Sequence, residues 1–333
     1  MRYKVISAMT VPLLAVVALA GCSSSSPDST SNSNAPVKAV NLKVGFDNAL
    51  AYTNNMPVLI AEQEGFFKKQ HITVTNVDFS GGSDTTRALV AGSIDVQAGV
   101  GFDAVAGNAN NLNVKIFYSI AQKTDFALYG STAAGVAKPS DFKGKSLAVS
   151  SFGSWSDFLA RSTPKAAGLS ADDIKVEAIG TNAALFGAIQ TGATGGTWNP
   201  ASLASVIKGS TIIGTTTSLK IPTQYSSLIA TGDWLQKNPA VAKRFSTAIS
   251  KAIAWHQDSA NKAAAVAIAV KTMKLPQAAA EAGYEGASKI FTDDGKVSVP
   301  GLKAMAAAVP TLKLGPSAPD TNDMYTNKFL PAK

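Results

Sequence analysis

The sequence predicts an α/β chain folded as two lobes, each a mostly parallel sheet flanked by helices. Three observations carry that prediction. Segments of alternating polar and apolar residues interleave with segments of helical periodicity from Val40 onward. The same series starts again near Ser131. Two later apolar stretches, at residues 212–214 and 225–230, offer points where the chain returns to the first series.

Residues 40–46 alternate and read as a strand, followed by a helix over 56–69 begun near Pro57. A second alternating strand covers 72–79. A short helix from Ser83 to Ala91 has Asp84 in its first turn and stops at Gly92. Strands at 94–98 and 114–121 complete a βαβαβ order, which predicts a largely parallel sheet. In the second series, 146–150 and 174–179 read as strands. Residues 154–167 form a helix containing Pro164 and closed by Gly168, and 182–190 a further helix. From Asp233 to about Ala282 the composition is helical, with Trp234, Val241, Phe245, Ile249, Ile253 and Trp255 near helical spacing. One more helix over 301–310 precedes an irregular tail with Pro316, Pro319 and Pro331.

Ahead of the first strand stands an export signal: Arg2 and Lys4, then an apolar run from Val5 to Ala20, then small residues. The run is too short for a spanning helix. Leu19-Ala20-Gly21-Cys22 resembles the lipobox of bacterial lipoproteins. That resemblance implies cleavage before Cys22 and a diacylglyceryl group on its thiol, two chains that give stable membrane attachment. Residues 23–36 are rich in Ser, Asn and Pro with nothing large enough to pack, and read as a flexible tether. The expected divisions are a signal peptide at 1–21, a lipidated tether at 22–38, a first lobe from 39–130 plus 223–333, and a second lobe at 131–222. An extracytoplasmic, lipid-anchored monomer is expected.

Removing the signal leaves 312 of the 333 residues and lowers the formal charge from +8 to +6. Cys22 is the one cysteine, so no internal disulfide forms and stability rests on core burial. Only Arg87, Arg161 and Arg244 remain as arginines, without the basic clusters of a nucleic-acid surface. The two histidines, His71 and His256, have no metal-ligand spacing, and no nucleophile elbow or phosphate loop is present. No enzyme, metal or cofactor is therefore expected.

Residues 56–67 (MPVLIAEQEGFF) resemble the opening segment of the nitrate, sulfonate and taurine family of solute-binding proteins, which also includes binders of thiamine-pyrimidine precursors. Residues 88–96 (ALVAGSIDV), 141–149 (DFKGKSLAV) and 188–200, with Gly192 and Trp198-Asn199-Pro200, continue the resemblance in order. The departure is Gly195, where the family pattern has an aspartate. The resemblance implies a type II periplasmic-binding-protein fold whose lobes close on a solute by a hinge motion. It further implies delivery to an ABC permease and its ATPase.

Strand carboxyl ends face the cleft in such folds, so the residues just after each strand are the candidates. After the first strand these are Asn48, Tyr52 and Asn54; after the second, Ser80, Gly81 and Ser83, where glycine allows close approach and a helix start offers free amides. After the third come Phe102 and Asp103. The second lobe contributes Ser151, Gly153, Ser154 and Trp155, then Asn182, with Trp198 and Asn199 as a far wall. Asp95, Arg87 and Arg161 read as structural or surface residues. Two helix starts without an arginine favour a sulfonate, nitrate-like or aromatic carboxylate anion. The aromatic residues favour instead a pyrimidine or other flat heteroaromatic, and Asp47 and Asp103, if both point inward, disfavour a strong anion. A non-transport envelope protein on the same fold is the remaining alternative.

Overall fold

The computed structural model describes residues 37–332. The expected signal peptide, the lipidation at Cys22 and the tether up to residue 36 lie outside the described residues. Among the described residues no helix is long and apolar enough to cross a membrane.

Strand β1 (Val40–Phe46) buries Leu42, Val44 and Phe46 while Asn41 and Lys43 face solvent. It pairs in parallel with β2 (Ile72–Asp78) and β3 (Val96–Val100). The connections carry α1 (Tyr52–Gln63), the single turn α2 (Phe66–Lys69) and α3 (Gly82–Val90); α4 (Gly101–Ala109) leads from β3 to β4 (Val114–Ser119). The chain then enters a second sheet with β5 (Phe126–Ser131) and β6 (Lys145–Val149). It continues through α5 (Trp155–Ala166), β7 (Ile174–Ala178), α6 (Asn182–Thr191), β8 (Gly196–Pro200) and β9 (Ser210–Thr215). It returns through β10 (Ser226–Thr231), and α7 (Gly232–Lys237), α8 (Pro239–Gln257), α9 (Lys262–Met273), α10 (Gln277–Ala287) and α11 (Val299–Thr311) complete the fold.

The sheets have five strands each, in the orders β2-β1-β3-β10-β4 and β7-β6-β8-β5-β9. In each, one strand runs against its neighbours: β10 is antiparallel to β3 and β4, and β5 to β8 and β9. Both antiparallel strands follow directly on a crossover between the sheets, at residues 120–125 and 216–225. The crossovers lie side by side, because the Thr223 hydroxyl and the Tyr225 amide both donate to the Gln122 carbonyl at 3.2 Å.

Four segments described next differ from the sequence expectation. Helix α1 starts at Tyr52, not near Pro57, and Pro57 lies inside it. Every residue from Tyr52 to Ala61 is buried, so the helix has no solvent face to give it a legible period. Gly65, in the left-handed region at φ 68°, breaks it from α2. The third strand is 96–100 rather than 94–98, because Asp95 is used ahead of it: its carboxylate accepts from the Lys43 amide at 2.8 Å and from Trp234 Nε1 at 3.3 Å. Residues 196–200 and 126–131, not anticipated as strands, are fully buried and form the middle of the second sheet.

Tyr52 and His256 show how the C-terminal helices hold α1. The Tyr52 hydroxyl and His256 Nε2 are 3.1 Å apart, and the imidazole packs on Tyr284 and Phe291 with ring centroids at 4.6 and 4.9 Å. Burial lowers the His256 pKa from 6.5 to about 4. The unfolded chain takes up a proton near pH 6.5 that the folded chain refuses until about pH 4, so stability falls as pH drops through that window. Relative to a His256→Phe variant, the protein should lose roughly 2 kcal/mol of unfolding free energy between pH 7.5 and pH 5. Urea titrations of both proteins at the two pH values measure this; parallel pH profiles would show that the ring titrates normally.

Candidate functional site

The parallel strands of both sheets point their carboxyl ends at the space between the lobes, and the two crossovers cross that space. A small cavity of about 40 Å³ lies there, lined from the first lobe by Asp47, Asn48, Ala51, Asn54, Ser80 and Val100. The second lobe supplies Phe126, Ser150, Trp155, Ser156, Asn182, Leu185, Trp198 and Asn199. It adjoins a more open mouth of about 470 Å³ that shares Asn48, Ser80 and Asn182 and adds Phe79, Thr181 and Phe186. The inner space holds one or two waters, whereas the mouth has the size of a small-molecule site. Admission of an organic solute to the centre therefore requires the lobes to part.

Two hydrogen bonds and one aromatic contact join the lobes around the cavity. Asn182 Nδ2 donates to Asn48 Oδ1 at 2.8 Å, and the Ser83 and Ser151 hydroxyls are 2.7 Å apart. Phe102 of α4 lies against Phe158 of α5, with ring centroids 4.6 Å apart, and against Trp155 at 6.4 Å. Gly81 lets the backbones approach: a Cβ there would stand 2.8 Å from Ser150 Oγ and 2.9 Å from Ser151 Oγ.

Of the residues proposed from sequence, Asn48, Asn54, Ser80, Trp155, Asn182, Trp198 and Asn199 line the cavity. Gly81, Ser83 and Ser151 form the seam between the lobes. Ser154 is 1% exposed and caps α5 by accepting from the Asp157 amide at 3.3 Å, while its hydroxyl bonds Ser150 and Ser156. Gly153, next to it, donates its amide to Asp157 Oδ2 at 2.7 Å. Tyr52 and Phe102 do not reach the cavity. The early start of α1 turns Tyr52 into the helical core beside His256, and α4 carries Phe102 into the aromatic interlobe contact. Trp198 is 1% exposed, with its Nε1 donating to Thr163 Oγ1 at 2.9 Å, so its polar edge is committed within the protein. Sequence reasoning missed Phe126 and Leu185, and its selected residues leave out Ser150 and Ser156 although it favoured the segment that holds them. Ser150 and Ser156 flank residues it did select, and Phe126 went unrecognised with its strand.

Asp47 is the one residue among Asp, Glu, Lys, Arg and His that lines the cavity. Asp47 and Asp103 are both buried side by side behind Gly99. Asp47 Oδ1 accepts from Gln97 Nε2 at 2.9 Å, and Asp103 Oδ2 accepts from the Val100 amide at 2.8 Å. Burial, and then the Asp103 carboxylate, push Asp47 well above the usual carboxylate range; burial also raises Asp103. Asp125, at the first crossover, accepts from Thr53 Oγ1 at 2.7 Å, and its pKa too is raised by burial. Neither Arg87 nor Arg161 lines the cavity: Arg87 pairs with Asp84, and Arg161 with Asp157 at 2.8 Å. Among the described residues no group of three or more His, Cys, Asp or Glu comes together as a metal site.

The family described as NMT1/THI5 like matches residues 52–263, a span that includes all four segments carrying the sequence resemblance. No curated protein matches the chain. Among solved structures, a protein from Bordetella bronchiseptica RB50 is 23% identical, with a TM-score of 0.74 over 87% of this chain and 95% of that one. The alkanesulfonate-binding protein SsuA from Xanthomonas axonopodis pv. citri, bound to MOPS, is 16% identical, with a TM-score of 0.71 over 86% and 98%. The periplasmic aliphatic sulphonate binding protein SsuA from Escherichia coli is 18% identical, with a TM-score of 0.67 over 85% and 91%. These likenesses establish the fold, that of the periplasmic binding proteins.

The tight passage at Gly81 makes a direct test of the interlobe seam. A Gly81→Leu variant should hold the lobes apart, raising the radius of gyration by small-angle scattering while leaving the melting temperature within a few degrees. An unchanged radius would mean that Ser150 and Ser151 yield instead.

Proposed function

The chain belongs to the NMT1/THI5-like family, and from that premise we propose that it is an extracytoplasmic solute-binding protein of an ABC importer. It captures a small organic molecule between its lobes and presents it to a membrane permease driven by a cytoplasmic ATPase. The observation that carries this reading is a cavity lined from the strand carboxyl ends of two sheets and spanned by two adjacent crossovers. That geometry suits a clasp: small rotations at the crossovers open and close the walls, while each sheet keeps its own hydrogen bonds. Export and a lipid on Cys22 would hold the clasp beside the membrane that carries the permease.

Two ligand classes compete. The sulfonate-binding proteins of the same fold favour an anion, for which helix amides are natural partners. The cavity itself favours a flat, uncharged or donor-bearing molecule, because Trp155 and Phe126 line it together with a carboxylate, Asp47. No residue lining it is Lys, Arg or His.

Melting the purified protein with sulfonates, nitrate, aromatic acids and pyrimidines tests the role. A ligand at one hundred times its Kd should add about 2.7 kcal/mol of stability, an upward shift of several degrees for a protein of this size. Silence across the whole screen would count against solute capture.

A further inference from the structure

We infer that small molecules reach the inner cavity from one flank, where the Asn48–Asn182 hydrogen bond is a gate that parts ahead of the rest of the interlobe seam and sets the rate of entry and escape. This deepens the solute-binding reading and rests on it.

The cavity is walled differently on its three approaches. Toward the crossovers, the Tyr225 ring closes on Phe126 and Trp155, with centroids 5.7 and 6.1 Å away. Toward α3 and α5, the wall is the Ser83–Ser151 bond, the Gly81 backbone against Ser150 and Ser151, and the packing of Phe102 on Phe158 and Trp155. A groove of about 250 Å³ lies outside that wall, with Ser83, Phe152 and Gly153 in its lining, and it shares no lining residue with the cavity. The third approach is different. Asn48, Ser80 and Asn182 line both the cavity and the mouth of about 470 Å³, so the two spaces meet at these residues. Asn182 Nδ2 donating to Asn48 Oδ1 at 2.8 Å is the bond that crosses from lobe to lobe there.

The two asparagines are held so that only the bond between them has to give. Asn48 Oδ1 also accepts from the Leu50 amide at 2.9 Å, and the Asn48 carbonyl accepts from the Ala51 amide at 3.0 Å and from Asn55 Nδ2 at 2.9 Å. Asn182 is the first residue of α6, after Thr181, whose hydroxyl oxygen accepts from the Ala184 amide at 3.4 Å. Both asparagines are half-buried, so water replaces the lost partner as the bond breaks, and neither leaves a charge behind. Parting the opposite wall breaks a hydrogen bond and also wets Phe102, Phe158 and Trp155, which adds an apolar cost. The mouth flank is therefore the one that opens first. Phe79 and Phe186, half-buried in the mouth, give an arriving molecule a surface to rest on outside the gate. Because the same bond stands in the way of entry and escape, changing it moves both rates together and their ratio much less.

Iodoacetamide serves as the probe. In a Cys22→Ser protein, Ser156→Cys supplies a single thiol inside the cavity, at a position 7% exposed. Asn182→Ala should speed its alkylation roughly three- to tenfold, the worth of one neutral hydrogen bond, while Ser83→Ala should change it less than about twofold. Asn182→Asp should act like Asn182→Ala, because the Leu50 amide keeps Asn48 Oδ1 turned toward the introduced carboxylate. An acidic residue in the first turn favours α6 itself, so this second variant keeps the test open where Asn182→Ala unravels the helix start. Melting temperatures within a few degrees of the parent separate gating from loss of fold. An unchanged rate in both Asn182 variants overturns the inference. Acceleration by Ser83→Ala equal to that of Asn182→Ala also overturns it, because the lobes would then part as a whole. So does an absence of alkylation in every variant, at Ser156→Cys and at a second cavity position, Leu185→Cys. Each of these results leaves solute capture standing, since the melting screen judges it independently.

Discussion

Each sheet takes into its interior one strand that runs against the rest, and that strand arrives straight from the other lobe. This constraint organises the molecule. Because β10 is inserted between β3 and β4, and β5 between β8 and β9, neither crossover is a loose surface linker. Each is tied at both ends to ladder hydrogen bonds in a sheet. Antiparallel insertion also fixes where the crossovers lie: the start of β10 pairs with the end of β3, Ser226 opposite Val100, at the carboxyl edge of the parallel strands. The pivot and the ligand cavity therefore share one edge. A rotation at residues 120–125 and 216–225 changes the distance between the cavity walls before it changes anything else.

The walls are assembled from turns whose first duty is local. Ser154 caps a helix, Gly153 and Asp157 close the turn before it, and Asp103 stabilises the start of α4 through the Val100 amide. Such residues look like anion-binding elements, and part of what they offer is already used: Asp157 takes the Gly153 amide and Ser154 the Asp157 amide. Among the side chains that line the cavity, Asp47 Oδ2, Asn54 Oδ1 and Trp155 Nε1 have no hydrogen-bond partner.

The two-lobed α/β plan was legible because strands such as β1 and β2 keep solvent-facing residues and so alternate. The most buried elements were the least legible. Helix α1 is covered on all sides from Tyr52 to Ala61 and shows no period; β5 and β8 are buried on both faces and read as neither strand nor helix. That loss moved Tyr52 wrongly into the site and hid Phe126. The rule that residues after strands face the cleft still found Asn48, Ser80, Asn182 and the segment around Ser154, because turn residues are chosen by backbone geometry, which sequence reveals. Pairings between distant residues, such as Asp47 with Asp103 or Tyr52 with His256, leave no local signature.

The aromatic contact of Phe102 with Phe158 and Trp155 bears on how tightly any solute is held. Parting the lobes wets these rings, so closure carries a driving force of its own, independent of what occupies the cavity. The pre-existing balance between open and closed forms then sets the apparent affinity: the more the bare rings favour closure, the smaller the share of ligand binding energy consumed in shutting the clasp. A permease that recognised the closed outline alone would be misled by empty copies. The apolar side of the cleft then sets how readily the lobes meet, and the polar lining is where an occupied cavity would differ from an empty one.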